Sequence, residues 1–123
     1  LLALLKHPLC RLGRPSGEWS RAVAILELAI LRGTRPPPGC KGLADEFAGF
    51  CSELDKLNRG ETSSLHRAEP RSRLTPHRLD DARALIAALQ SALAPLEGAN
   101  AQPADFTALA ARHREAIEAL SRD

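Results

Sequence analysis

Four arginines fall within thirteen residues, from His66 to Arg78, and no separate stretch of this sequence is as rich in arginine. Arg67, Arg71, Arg73 and Arg78 share the segment with Glu69, His66 and His77, so with neutral histidines it carries four positive charges against one negative. A guanidinium is always protonated and presents a fork of N–H donors that matches a phosphate group. A basic, flexible segment of this kind can lie along a nucleic-acid backbone. Arg67, Arg71, Arg73 and Arg78 are therefore the candidate DNA contacts. No aromatic residue is interleaved to stack on a base, and a solvated connector is the plainer expectation for the same residues.

Elsewhere the chemistry-bearing residues do not converge. The sequence holds no Gly-rich phosphate loop ending in Gly-Lys-Ser/Thr, no His-Glu-x-x-His and no nucleophile elbow. Asp45–Glu46 and Asp80–Asp81 are adjacent pairs, which diverge around a helix rather than meeting on one ligand. Glu115 and Glu118 are helix-surface neighbours, but Arg112, Arg114 and Arg122 surround them and an ion-pair face is expected. Of the histidines, His113 sits on an apolar stripe and is expected to pack there, partly buried. His7 precedes Pro8 in a capping or packing position, and His66 and His77 are expected to be solvated. Cys10, Cys40 and Cys51 are odd in number and widely spaced, which suggests reduced, partly buried thiols rather than a disulfide framework or zinc site. The residues thus predict no catalytic, cofactor-binding or metal-ligating position.

The elements that must position these side chains read as helices. Between residues 18 and 32, Trp19, Val23, Leu26 and Ile30 form one stripe and Ile25, Leu28 and Leu31 another. The helix is apolar on most sides and should be the most buried. Ser16 is placed to cap it and Gly33 to stop it. After the stiff connector Pro36-Pro37-Pro38, residues 41–58 carry Leu43, Phe47, Phe50, Leu54 and Leu57 at steps of four, three, four and three, and Arg59-Gly60 closes that helix. Thr75 caps, and Pro76 opens, a helix whose stripe is Leu79, Ala82, Ile86, Leu89, Leu93 and Leu96. A loop through Gly98, Asn100 and Pro103 leads to a last helix over 104–121, where Phe106, Leu109, Ala110, His113, Ile117 and Leu120 share a face. Residues 1–12 read as a short helix broken near Pro8, and 60–75, lacking apolar periodicity, as weakly ordered. No alternating run of β-branched or aromatic residues suggests a strand. The expected fold is all-α, a bundle of about five helices with one long polar loop, forming a single domain over residues 1–123.

The sequence has 123 residues, no Met and a net charge of +2. That charge is too small to imply a polyanionic partner by itself. Arg outnumbers Lys fourteen to three, and with abundant Ala, Leu and Pro this could reflect GC-rich coding. The opening Leu1-Leu2-Ala3-Leu4-Leu5 has no basic region before it and no cleavage site after it. No run approaches the ~18–20 apolar residues needed to cross a bilayer. A cytoplasmic segment cut from a larger polypeptide is expected, able to self-associate through the Leu1–Leu9 helix.

Three stretches in series carry a resemblance. Leu1-Leu2-Ala3-Leu4-Leu5-Lys6-His7-Pro8-Leu9 is similar to the "ALLKHPL" stretch of alphaproteobacterial-type AddB proteins. Leu26-Glu27, Ile30-Leu31-Arg32-Gly33, Arg35-Pro36 and Gly42-Leu43 resemble the run that follows it in that family, and Leu109–Leu120 resembles its "H…EAL" helix. Order and approximate spacing match across the chain. The resemblance implies an insert subdomain of a superfamily 1 helicase-like motor domain, in a subunit that works with AddA as an ATP-dependent helicase–exonuclease in double-strand break repair. It places the family's ATP and Mg sites and its iron–sulfur cluster outside this segment, so no cofactor residue carries over. Duplex DNA and the AddA subunit are the implied partners, and a structural or DNA-contacting insert the implied role. The alternative is a freestanding helical adaptor or dimerisation module.

Overall fold

The structure, a computed structural model, describes residues 1–97 and 105–122. It is all-α, with five α-helices and no strand among those residues. The helix that is apolar on most sides becomes the centre. Helix α2, Ser16–Leu26, continues into a π-helical turn, Glu27–Leu31, and together they bury Trp19, Ala22, Val23, Ile25, Leu26, Ala29 and Ile30. Pro15, not Ser16, occupies the cap position. Its extended backbone presents the Pro15 carbonyl to the Trp19 N–H at 3.0 Å, and Ser16 lies inside the helix without capping it. Gly33 does not act as a left-handed stop either; the helix closes at Arg32 with φ −89°.

The helix preceding α2 is shorter than the pattern suggests. Helix α1 spans only Leu2–Leu5, because residues 6–12 turn back instead of continuing. Leu12 adopts φ 50° and Gly13 φ 69°. This reversal lets the Arg11 and Leu12 N–H groups both reach the Leu120 carbonyl, at 2.9 and 3.1 Å, and Gly13 N–H reach Arg122 at 2.7 Å. Leu5 is fully buried, whereas Leu1 and Leu9 are 52% and 65% exposed.

Helix α3, Gly39–Asn58, buries Leu43, Phe47, Phe50 and Leu54, four of the five stripe residues, and leaves Leu57 half-buried. Pro38 at its cap has no side chain to satisfy the first N–H groups. Glu97 does so from the end of the next helix, its Oε1 accepting from Cys40 N–H at 2.6 Å. Gly60, at φ 75°, ends the helix with its N–H on the Leu57 carbonyl. Helix α4, Pro76–Glu97, starts on the proline and packs against α2, α3 and α5, burying Leu79, Ala82, Leu85, Ile86, Leu89 and Ala92. The expected loop residues Gly98, Asn100 and Pro103, and the expected helix start at Ala104, lie outside the described residues.

Two sequence expectations are overturned. Helix α5, Phe106–Leu120, does not bury the large apolar stripe: Phe106 is 85% exposed, Ile117 55% and Leu109 41%, and His113 is exposed with them. It packs against α4, and its buried residue is Ala116, with Ala108, Arg112, Ala119 and Leu120 half-buried. Small alanines let two helix backbones approach, and large side chains at those positions would hold them apart. Residues 60–75 are also not loose. Leu65 and Leu74 enter the core at 6% exposure each, and Pro70–Arg73 forms a 3-10 turn. Two carboxylates fasten this stretch. Glu53 accepts from Ser63 Oγ and Ser64 N–H at 3.1 and 2.7 Å and pairs with Lys56, and Glu69 accepts from His66 N–H at 2.8 Å.

Two glycines of α3 should respond oppositely to alanine. A Cβ on Gly42 would stand 2.3 Å from the Pro37 carbonyl oxygen, a backbone atom that cannot step aside, whereas nothing lies within 4 Å of one on Gly49. Gly49→Ala is expected to raise stability by about 0.5–1 kcal/mol through helix propensity. Gly42→Ala is expected to lower it by about 1–3 kcal/mol despite the same gain. Urea unfolding of the two variants measures both.

The Lys56 ammonium and the Ser64 N–H hold the Glu53 carboxyl down at about 2. A depressed carboxylate contributes stability above its unfolded value of about 4.3, and that contribution is lost as pH falls from there through the folded value. Unfolding free energy should therefore fall between about pH 5 and 2 in the native chain. It should fall less steeply in Glu53→Gln, as read by denaturant titration across that range.

Candidate nucleic-acid interface

The basic segment is built on the fastened stretch between α3 and α4, and this divides its four arginines into two pairs. Arg71 is turned inward. Its Nε donates to Glu69 Oε2 at 2.7 Å, its Nη1 donates to the Ala29 carbonyl at 3.4 Å, and its guanidinium carbon stands 5.8 Å from the Phe50 ring centroid. A π-helical turn loosens the regular backbone ladder, and Arg71 supplies a donor to one of its buried carbonyls. Arg67 is more exposed but also returns to the protein, its Nη2 donating to the Leu57 carbonyl at 3.2 Å.

Arg73 and Arg78 make no hydrogen bond or ion pair among the described residues, and both are exposed. Arg73 ends the 3-10 turn and Arg78 lies in the first turn of α4. The buried side chain of Leu74 holds the backbone between them. The free positive charge of the segment thus sits on an anchored corner, with exposed His77 beside it. Pattern reasoning could not find the inward role of Arg71, since Phe50 and Ala29 lie 21 and 42 positions away in sequence.

Several of the other candidate groups are occupied within the protein. Burial raises all three thiols, Cys10 and Cys51 among them, and Glu97 adds to the burial that takes Cys40 up to about 12. A protonated thiol is a poor nucleophile and metal ligand. Glu27 pairs with Lys6 at 2.8 Å and Arg32 at 3.5 Å, and the Lys6 hydrogen bond leads in holding its carboxyl below the usual range. Asp80 pairs with Arg83, Asp45 with Lys41, and Glu118 with Arg114 at 3.7 Å, an exposed contact of the kind expected there. His7 and His66 each accept a backbone N–H through Nδ1, from Leu9 and Ala68. Among the described residues no three His, Cys, Asp or Glu side chains gather where they could hold a metal ion, and no helix is long and apolar enough to cross a membrane.

Compared with known proteins, the chain matches no family model, no curated protein and no solved structure.

The division of the arginines has a measurable consequence for stability. Arg71→Ala removes a guanidinium from an aromatic face and leaves the buried Ala29 carbonyl without that donor. A loss of about 1–3 kcal/mol is expected. Arg73→Ala and Arg78→Ala touch no such contact and should stay within about 0.5 kcal/mol of the parent. Thermal or urea unfolding of the three single variants checks this ordering.

Proposed function

We propose that this chain is a non-catalytic helical contact module of an AddB-type double-strand break repair subunit, and that it meets duplex DNA through the phosphates facing Arg73 and Arg78. The observation that carries the DNA contact is the pair of guanidiniums that have no partner among the described residues, held on an anchored corner between the 3-10 turn and α4. Side chains with no internal partner are available to a phosphate, and a folded backbone loses less freedom on binding than a loose one. The AddB setting rests on the three stretches in series, Leu1–Leu9, Leu26–Leu43 and Leu109–Leu120. In this reading the helicase and exonuclease chemistry, with its ATP, Mg and iron–sulfur cluster, belongs to other parts of the subunit and to AddA, in the cytoplasm. This segment supplies contact rather than catalysis.

A specific observation favours the second reading, a helical module that works by self-association. Leu1 and Leu9 stand 52% and 65% exposed in the opening segment expected to self-associate, and covering such side chains is favourable.

Two measurements separate the readings. Fluorescence anisotropy with a short labelled duplex should show weak binding, with a log–log salt slope of about −1.8 for two neutralised phosphates. The double change Arg73→Ala and Arg78→Ala should remove that binding, and Arg67→Ala should leave it. Equal affinity for the parent and the double variant would overturn the DNA contact. Sedimentation over a concentration series tests the other reading. A dimer that Leu1→Ser with Leu9→Ser converts to monomer supports it, and a monomer throughout rejects it.

A further inference from the structure

We draw no further inference here: the strongest candidate, the apolar face of α5 carrying Phe106, Leu109, His113 and Ile117, stands open on the surface of the bundle, and nothing in the structure shows what covers it.

Discussion

A helix that is apolar on nearly every side has to be surrounded, and the architecture follows from surrounding the stretch from Trp19 to Leu31. Ala22, Leu26 and Ala29 are wholly withdrawn from solvent. Fully burying a Leu, Ile or Val side chain is favourable by about 1.5–3 kcal/mol, so the enclosure supplies much of the drive to fold. Enclosure also brings an obligation. The Trp19 indole N–H is buried with its ring, and an unmet buried donor costs about 1–3 kcal/mol. The Leu5 carbonyl accepts it at 2.8 Å. The short α1 is thereby turned back over α2, and the strained reversal at Leu12 and Gly13 then ties the same segment to the end of α5. No buried side-chain polar atom among the described residues is left without a partner.

The stretch joining α3 to α4 meets the same requirement by different means. It has too few apolar residues to form a stripe, so two leucines, Leu65 and Leu74, plug the core. Polar bonds from Ser64 N–H to Glu53 and from His66 N–H to Glu69 hold the backbone on either side of Leu65. Glu69 and Arg71 are each other's partners, and Arg71 in turn reaches the buried π-helical turn. One guanidinium therefore links the 3-10 turn, the π-helical turn that continues α2, and the Phe50 ring of α3. The guanidiniums that this scaffold leaves without a contact among the described residues are those of Arg73 and Arg78.

The sequence made the helical class and the cores of α2, α3 and α4 legible, because a step of three and four residues places large apolar side chains on one face whatever the tertiary context. The stripe residues Phe47, Phe50, Leu54, Leu79, Ile86 and Leu89 are buried as that logic requires, whereas Leu93 and Leu96 are half-buried and Leu85, off the stripe, is buried. In α5 the same logic picked the wrong face. Periodicity registers hydrophobicity, whereas contact with α4 is governed by how closely two backbones can approach, and Ala116 serves that better than Ile117. Order in residues 60–75 was hidden for a related reason. It depends on Glu53 and Ala29, residues on other elements, and no local pattern signals a carboxylate that will fold back onto a loop. The close approach of the Pro37 carbonyl to Gly42 is likewise not signalled by the apolar stripe of α3. The four arginines were visible as a cluster, but their division into anchors and free charges is a tertiary fact.

The division of the arginines requires the basic stretch to be a folded part of the bundle rather than a tether, and amide hydrogen exchange at single-residue resolution tests that directly. The Ser64 N–H is bonded to Glu53, the Leu74 N–H to the Arg71 carbonyl and the Ser72 N–H to the Glu69 carbonyl. These three amides should exchange on the order of a hundredfold or more slowly than in an unfolded chain, and Arg71→Ala should speed the exchange at Ser72 and Leu74. Exchange at unstructured rates in the parent chain would contradict the account, because Arg71 would then be as free as Arg73 and Arg78.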